Sequence, residues 1–496
     1  MAGIGFELRR ILAEDTYTSM VKGFLYSTVI SAGPWLMSIL CLAGLGIYSI
    51  AFLSFEERQT FSSSVVYMYA ASLVGTGLVQ MVITRYLSDK LYQGEREALT
   101  EAFTPVVLLT CFVQIPVAVA TLWGAPLEPA FKASVGVGFL VISLIWQAMI
   151  FLSASRDYTA IVLSFLVGAV ISIAAGLLWG RGYGLVGYMN GFVLGQFCIL
   201  ALLVLKVTRE FGMPTRGDWS FVRYIFEYPQ LVFIGLFYNL SIWVDKLLFG
   251  LSPYGRVTAE RFPTYNQYDS SMFLAFATMV PAMALFLSRT ETDFAEVYKV
   301  YYDDIFFRRS YNRIIESKRA MVNVLKSSFL DLLKVQGLTT FVFVYFADDL
   351  LRVVGLPYSQ TGMFRFGLIG AMTQVLMLFI HVILLYFDLR GTVVVLTFLF
   401  LVCNTVFSAA SLALGFPYYG AGFAAAGLLG LLASTLALYW RVNDLEYITF
   451  AKRKIVGQTE PGGDDRARKG GMYGRYLPCP GGEGPLKLVQ EEGGKK

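Results

Sequence analysis

Twelve long apolar segments, separated by short polar stretches, fill most of the chain. Each is close to or above the roughly 20 apolar residues that an α-helix needs to cross a bilayer. Strands of membrane barrels are shorter, with about 10 alternating residues each. The pattern therefore predicts an all-α integral membrane protein, with about 12 transmembrane helices at 23–51, 61–87, 101–123, 133–153, 158–179, 184–206, 222–250, 266–288, 328–347, 361–386, 391–414 and 420–440.

The first apolar segment contains an interruption near its middle. It runs from Lys22 to Tyr48 as KGFLYSTVISAGPWLMSILCLAGLGIY, with Gly33 and Pro34 in the SAGPW motif. Proline lacks a backbone N–H and clashes with the preceding turn. A membrane tolerates such a break only beside other helices or a water-filled cavity. We predict a broken helix that lines a transport pathway, with a packing kink as the alternative.

The two halves of the chain share features that indicate an internal repeat. The second segment ends in ITRYLSDKLYQGEREA (83–98), and the eighth ends in LFLSRTETDFAEVYKV (285–300), about 200 residues later. Pro34 also has a counterpart in Pro229 of the seventh segment. Two such halves predict two six-helix bundles facing a central cleft. The predicted divisions are bundles at 22–206 and 222–451, with a cytoplasmic linker at 207–221 between them.

Three further stretches lie outside the apolar segments. Residues 1–21 place apolar residues at helical spacing between charges, which predicts an amphipathic cytoplasmic helix in the membrane interface. Residues 452–496 are rich in Gly, Pro and charge and predict a disordered cytoplasmic tail. The insert at 289–327 predicts a cytoplasmic helix or helix pair that docks a partner, or else a solvated extension of its neighbouring membrane helices. The apolar stripe of this insert consists of Phe294, Val297, Tyr301, Ile305 and Phe306.

Charge supports a membrane protein and sets its predicted orientation. Of the 496 residues, 56% are hydrophobic and 15% are charged, against about 25% charged in soluble domains. If the N-terminus is inside, 32 of the 40 Lys and Arg residues fall in inside segments and 6 in outside loops. Since positive residues concentrate in cytoplasmic loops, both termini are predicted to be cytoplasmic. No cleavable signal peptide is predicted.

Signals for catalysis are few. The chain has one histidine and five cysteines without a C-x-x-C spacing, which argues against a metal site or a disulfide framework. It has no G-x-x-x-x-G-K-[ST], H-E-x-x-H or G-x-S-x-G motif. Most loops are too short for a soluble domain. We therefore predict a protein that is not an enzyme, with no cofactor, no metal and no nucleic-acid partner.

Polar and aromatic residues inside the apolar segments are candidates for a substrate pathway. An ionised side chain at the centre of a membrane helix costs at least about 2.5–3.5 kcal/mol and usually serves a function. Aromatic faces beside amides and carboxylates suit sugar rings, although the same residue types occur in helix packing and interfacial belts. Asp245 and Lys246, near the outer end of their helix, could instead reach out to the interface. The candidates are Gly33, Pro34, Tyr67, Tyr69, Gln80, Gln147, Pro229, Tyr238, Asn239, Trp243, Asp245, Lys246, Asp269, Arg365 and Gln374.

The opening MAGIGFELRRIL, the SAGPW motif and the twelve-segment plan resemble the Pel exopolysaccharide transporter (PelG-type) family. That family belongs with the lipid-linked oligosaccharide flippase and multidrug exporter superfamily, and the resemblance extends to about Phe450. It implies a bacterial inner-membrane protein of two six-helix bundles, whose first and seventh helices bend and line the cleft. In this chain those helices carry Gly33, Pro34 and Pro229.

The resemblance also implies a function and partners. The function is export of the nascent Pel polymer, rich in N-acetylgalactosamine, to the periplasm during biofilm formation. The implied partners are a cytoplasmic glycosyltransferase of the PelF type and membrane proteins of the PelD and PelE types. Two alternatives stay open: a membrane scaffold that anchors a cytoplasmic polysaccharide synthase, and a cation-coupled small-molecule antiporter.

Overall fold

The computed structural model describes residues 17–124, 127–155, 158–213, 216–253, 255–257 and 262–452. Eleven helices in these ranges are long and apolar enough to cross a membrane. One of them holds two spans, which gives the twelve that the sequence predicts. The predicted tail from residue 453 and most of the predicted N-terminal helix (1–16) lie outside the described residues.

Five helices build the first half of the chain. The second begins with a capping box: the Glu57 backbone N–H donates to the Ser54 hydroxyl, and the Ser54 N–H donates to the Glu57 carboxylate. It ends at Gly94, whose positive φ of 77° suits a residue without a Cβ. The bounds are α1 Tyr17–Ser49, α2 Phe55–Gln93, α3 Arg96–Leu122, α4 Pro129–Ser155 and α5 Tyr158–Phe211.

Helix α5 is a hairpin of two spans rather than one helix. Its 54 residues are interrupted at Gly184, where φ is 57° and ψ is −138°. Pairs on either side of this point touch: the Ser172 hydroxyl donates to the Phe192 carbonyl, and a Cβ on Gly191 would lie 2.2 Å from the Gly176 nitrogen. The predicted fifth and sixth spans are therefore antiparallel and closely packed through small residues.

The second half contains more breaks. Its helices are α6 Phe221–Glu227, α7 Pro229–Leu251, α8 Asn266–Ala277, α9 Val280–Ser288, α10 Ala295–Phe306, α11 Tyr311–Tyr345, α12 Ala347–Val354, α13 Thr361–Tyr386, α14 Arg390–Leu414, α15 Ala421–Asn443 and α16 Leu445–Tyr447. Short 3₁₀ turns occupy Tyr358–Gln360 and Phe416–Tyr418, and π-helical turns occupy Arg289–Phe294 and Ile448–Lys452. A two-stranded antiparallel ribbon, β1 Arg256–Val257 with β2 Pro263–Thr264, lies between α7 and α8.

The packing of the second half repeats that of the first. In the first half, α4 packs against α2, α3 and α5, and α1 packs against α5. In the second half, α13 packs against α8, α11 and α15, and α7 packs against α14. These are the same pairs shifted by six spans. The two halves contact each other at two places, α2 with α7 and α1 with α9. When each helix is replaced by its counterpart in the other half, one of these contacts becomes the other. Two six-span bundles related by an approximate twofold are therefore present.

The first span differs from its prediction. Helix α1 is continuous through Pro34, and the Ser38 hydroxyl donates to the Pro34 carbonyl at 3.0 Å. Gly33 is buried, and a Cβ there would lie 2.9 Å from Val162 Cγ2 of α5. The predicted break was wrong: Gly33 allows close packing within the first bundle, and neighbouring helices make the proline tolerable.

The second half of the chain contains two divisions between consecutive helices instead. The predicted segment 222–250 divides at Tyr228 into α6 and α7, and Pro229 occupies the first turn of α7, where its missing N–H costs nothing. The eighth span divides at Thr278 and Met279, next to Pro281. The division at Tyr228 lies just before the apolar span that begins at Pro229. The turn at Thr278 and Met279 keeps right-handed helical dihedral angles, with the tighter hydrogen bonds from Thr278 N to the Ala275 carbonyl and from Met279 N to the Phe276 carbonyl.

The insert after the eighth span is formed by extensions of its neighbours. The π-helical turn joins α9 to α10, and α11 runs for 35 residues without interruption. Phe294 and Tyr301 are fully buried, and Val297 and Ile305 pack against the same apolar cluster. The fold itself therefore covers these four residues of the predicted docking stripe fully or in part, whereas its last residue, Phe306, is 55% exposed.

Candidate functional site

The first contact between the bundles is the crossing of α2 and α7. A Cβ on Gly235 would lie 2.0 Å from the Gly77 carbonyl oxygen, and a Cβ on Gly77 would lie 2.6 Å from Asn239 Nδ2. The Asn239 amide donates to the Gly235 carbonyl at 2.8 Å. Only glycines allow two helices to approach this closely. We call this crossing the glycine seam.

Polar contacts extend the seam towards the side that is predicted to be outside. The Tyr67 hydroxyl donates to the Pro263 carbonyl of β2, and the Tyr67 ring lies 5.3 Å from that of Phe262. The Ser63 hydroxyl lies 3.4 Å from that of Thr264. The ribbon after α7 is thereby fastened to α2.

On the side that is predicted to be cytoplasmic, α2 holds the linker before α7. The Tyr86 hydroxyl donates to Asp218 Oδ2, and the Ser220 backbone N–H donates to Asp218 Oδ1, both at 2.8 Å. Burial alone would raise the pKa of Asp218, but hydrogen bonds from Ser220 and Tyr86 outweigh it and leave this pKa below its usual value. Asp218 is therefore held as a carboxylate at neutral pH.

The second contact between the bundles covers only part of a span. Helix α1 packs along α9 and, in the described part of the chain, has little or no contact with α8. Ala282 and Ala284 of α9 are fully buried. Since α9 and α8 are the two halves of the eighth span, α1 is joined to this span along one half and, among the described residues, has little or no contact with the other half.

A charged cluster occupies the second bundle. Lys246 Nζ lies 3.2 Å from both carboxylate oxygens of Asp245, whose side chain is fully buried, and donates to the Ile242 carbonyl at 2.9 Å. The Tyr268 hydroxyl of α8 donates to Asp245 Oδ2 at 2.7 Å. Lys246 therefore turns into the bundle rather than out to the interface. We call Asp245, Lys246, Tyr268 and Asp269 the charged cluster.

Three aromatic rings surround the ammonium group of Lys246. Nζ lies 4.9 Å from the ring centre of Phe276, 5.7 Å from that of Phe423 and 5.9 Å from that of Trp243. Each is within the roughly 6 Å over which a cation and a ring attract. The lysine is thus held by one carboxylate and three ring faces.

Asp269 is the carboxylate of the cluster that has an oxygen available to accept a further hydrogen bond. Its Oδ1 is buried and has no hydrogen-bond partner among the described residues. Two carboxylates and one ammonium carry a net charge of −1 when all are ionised, and breaking a buried ion pair costs about 3–5 kcal/mol. The cluster can therefore accept one more hydrogen-bond donor, proton or cation at Asp269.

The cluster is continuous with the glycine seam. Asn239, Trp243 and Lys246 follow each other at helical spacing on one face of α7. Seven residues of helix rise about 10 Å, so this face leads from the seam into the cluster. The structure brings together Asn239, Trp243, Asp245, Lys246 and Asp269 from the sequence predictions.

The other predicted residues are spread over several environments. Tyr238 interacts with the Gln374 side chain inside the second bundle. Tyr69 donates to Gln196 in the first bundle, where Gln147 is fully buried. Arg365 is exposed and pairs with Asp348 at 3.3 Å. Gly33, Pro34, Tyr67, Gln80 and Pro229 lie in α1, α2 and the start of α7, and of these Tyr67 is tied to the ribbon after α7 by its bond to the Pro263 carbonyl.

Several residues around the charged cluster were not predicted from the sequence. The Asn404 amide of α14 donates to the Ser241 carbonyl at 2.9 Å and accepts from the Ser408 hydroxyl, which fixes α14 beside the cluster. Phe276 and Phe423 looked like ordinary apolar positions. A polar Asn404 inside an apolar segment was the only signal in the sequence.

Solved structures with the same architecture are transporters. One described as an outward-facing conformation of a multidrug resistance MATE family transporter of the MOP superfamily matches with a TM-score of 0.59 at 13% identity, covering 86% of this chain and 96% of that one. A MATE protein in its straight conformation matches with a TM-score of 0.60 at 12% identity, covering 86% of this chain and 96% of that one. A MOP superfamily transporter from Pyrococcus furiosus matches with a TM-score of 0.58 at 12% identity, covering 85% of this chain and 96% of that one. No curated protein matches the chain.

These similarities define a multi-pass membrane protein with the fold of the MATE transporters. The family follows from the sequence match: residues 1–450 match PelG, described as a putative exopolysaccharide exporter (EPS-E). The chain belongs to this family, as its opening residues and SAGPW motif had indicated. Family and fold together make it a transporter rather than an enzyme.

Proposed function

We propose that this protein exports a nascent exopolysaccharide of the Pel type, rich in N-acetylgalactosamine, from the cytoplasm to the periplasm across the bacterial inner membrane. The observation that carries the proposal is the family match over residues 1–450. The distribution of positive charge supports an orientation with both termini in the cytoplasm.

The contacts between the bundles support a passage between them. Since α1 packs along α9 and hardly touches α8, α1 diverges from the eighth span beside α8. Neutral sugar units need ring faces and hydrogen-bonding groups, and the face of α7 that leads away from the seam carries both in Trp243 and Asn239. The polymer would pass along this face as the bundles move about the glycine seam.

The test is polymer secretion by a strain whose own copy has been deleted and replaced by variants. We expect Asp269→Asn to reduce secretion several-fold and to leave polymer inside the cell. Asp349→Asn is the control, because the Asp349 side chain is 63% exposed and forms an ion pair with Arg352. Both variants should reach the membrane at the wild-type level.

Two results would count against these assignments. Secretion that continues without the protein would refute the export function itself. Normal secretion by the Asp269→Asn variant would remove the charged cluster from the pathway and leave the export function standing. The two failures are therefore distinguishable.

Cation-coupled antiport of a small molecule is the second candidate. It is favoured by the fold shared with multidrug transporters and by the free carboxylate oxygen of Asp269. Efflux of a fluorescent drug from vesicles under a Na⁺ or proton gradient would support it, and its absence would leave polymer export.

For the partners we propose a docking surface that keeps only the exposed Phe306 of the predicted stripe. The tip of the α10–α11 hairpin exposes Phe306, Phe307 and Tyr311, at 55%, 63% and 65%. Aromatic residues flanked by arginine are typical of interface hot spots. We propose that this tip binds the cytoplasmic glycosyltransferase of the PelF type, while membrane partners of the PelD and PelE types bind the spans.

Co-purification tests this surface. Phe307→Ser with Tyr311→Ser should release the glycosyltransferase from the membrane fraction. Tyr418→Ser, which alters an aromatic residue beyond α14 that is 50% exposed, should not. Unchanged co-purification by the tip variant would refute the docking site.

A further inference from the structure

A basic cavity lies where three membrane spans end on the side predicted to be cytoplasmic. It has a volume of about 320 Å³. Its walls come from the start of α7, the loop between α13 and α14, the start of α14 and the end of α15. The residues that matter for its chemistry are Gln230, Asp388, Arg390, Thr392 and Arg441.

The two arginines of the cavity have different partners. Arg390 pairs with Asp388 at 2.9 Å, and its guanidinium lies 4.5 Å from the ring centre of Tyr228. Arg441 Nε donates to the Thr392 hydroxyl at 3.2 Å, and Arg441 has no carboxylate partner among the described residues. One positive charge in the cavity is therefore left without a counter-charge.

The backbone around the cavity adds further donors. The helices α7 and α14 both begin at its wall, and neither has a side-chain cap at its start. The positive ends of both helix dipoles therefore add to the field of Arg441. Asp388 has a positive φ of 55°, which is uncommon for a residue other than glycine and often marks a functional turn.

We propose that this cavity binds a phosphate group, and that the phosphate is the headgroup of an anionic phospholipid. An arginine fork with neighbouring hydroxyl and amide donors matches the oxygens of a phosphate. The cavity lies at the ends of membrane spans, at the level of lipid headgroups. Trp440 and Tyr447, close to Arg441 in sequence, are exposed at 62% and 63%, as interfacial aromatic residues are.

The experiment is lipid counting by native mass spectrometry on the full-length protein in detergent. The added probes are phosphatidylglycerol, phosphatidylcholine and inorganic phosphate. We expect wild type to retain one phosphatidylglycerol, to retain phosphatidylcholine less well, and to keep its lipid in millimolar phosphate.

The variant Arg441→Gln should bind phosphatidylglycerol with an affinity at least tenfold lower than wild type. Arg441→Lys should restore part of this affinity. Arg352→Gln is the matched control, because Arg352 is exposed and lies in α12, away from the cavity. A melting temperature at the wild-type value confirms that Arg441→Gln is folded after loss of the hydrogen bond from Arg441 Nε to the Thr392 hydroxyl.

Each outcome decides the question. Displacement of lipid by inorganic phosphate at this site would refute the headgroup and assign a soluble phosphate ligand to the same residues. Equal lipid retention by wild type and Arg441→Gln would refute the cavity as the site. Because polymer export enters none of these measurements, the result does not depend on the proposed function.

Discussion

The glycine seam predicts a clear effect for Gly235→Ala. The added Cβ would lie 2.0 Å from the Gly77 carbonyl oxygen, and contacts under 3.0 Å are essentially never made by real Cβ atoms. The helices α2 and α7 must therefore separate by about 1 Å at this point. Overpacking of this kind costs about 1–3 kcal/mol, which exceeds the roughly 0.5–1 kcal/mol that alanine gains over glycine in a helix.

Two control variants isolate the seam. A Cβ on Gly46 meets nothing within 4 Å, so Gly46→Ala should melt at or slightly above the wild-type temperature. Gly191→Ala creates a similar clash, 2.2 Å from the Gly176 nitrogen, but inside the first bundle. The assay is thermal unfolding in detergent, together with polymer secretion normalised to the folded protein.

We expect Gly235→Ala and Gly191→Ala to lower the melting temperature by similar amounts. Only Gly235→Ala should also lower secretion per folded molecule, because it alone forces the bundles apart. If Gly235→Ala melts and secretes like wild type, the close approach of α2 and α7 is refuted. If both variants reduce secretion equally, the seam has no special role in transport.

Three further substitutions test other contacts. Lys246→Met should destabilise the protein by about 3–5 kcal/mol, since it leaves Asp245 buried without its partner, and adding Asp245→Asn should recover most of this loss in a double-mutant thermal unfolding cycle; additive losses would mean that the pair is not coupled. Tyr298→Phe removes the hydrogen bond to the Tyr386 carbonyl and should cost about 0.5–1.5 kcal/mol, measured by the same unfolding assay; no loss would show that α10 is not fastened there. Pro34→Ala should keep both the melting temperature and secretion at or above wild type, because α1 is already continuous; reduced secretion would restore the pathway role of the motif.

The spans were predictable because burial in lipid imposes one rule on every segment. A run of about 20 apolar residues must satisfy its own backbone as a helix, which located all twelve spans from composition. The turn of α5 at Gly184 fell where the predicted fifth and sixth spans met. The pairing of α1 with α9 and of α2 with α7 also agrees with the repeat indicated by the sequence.

Helix breaks were harder to predict because proline acts through its context. Pro34 lies within a continuous helix, whereas Pro229 and Pro281 accompany divisions between consecutive helices. Whether a freed carbonyl finds a partner depends on neighbouring helices, and a single sequence does not show them. The apolar stripe beginning at Phe294 failed for a related reason: helical spacing shows that a face is apolar, but not what covers it.

The sequence predicted part of the charged cluster, because charged residues are rare in membrane spans. Asp245, Lys246 and Asp269 stood out for this reason. Phe423, which completes the cage around the lysine, lies in α15, far along the chain from α7. No local pattern connects such residues.

The continuous helix α11 has a mechanical consequence. Its 35 residues give a rod of about 52 Å, whereas the hydrocarbon core is about 30 Å thick. A rotation of about 10° around the middle of such a rod displaces each end by about 4–5 Å. A displacement of the helix end at Tyr311 would therefore move the end at Tyr345, on the other side of the membrane, in the opposite direction.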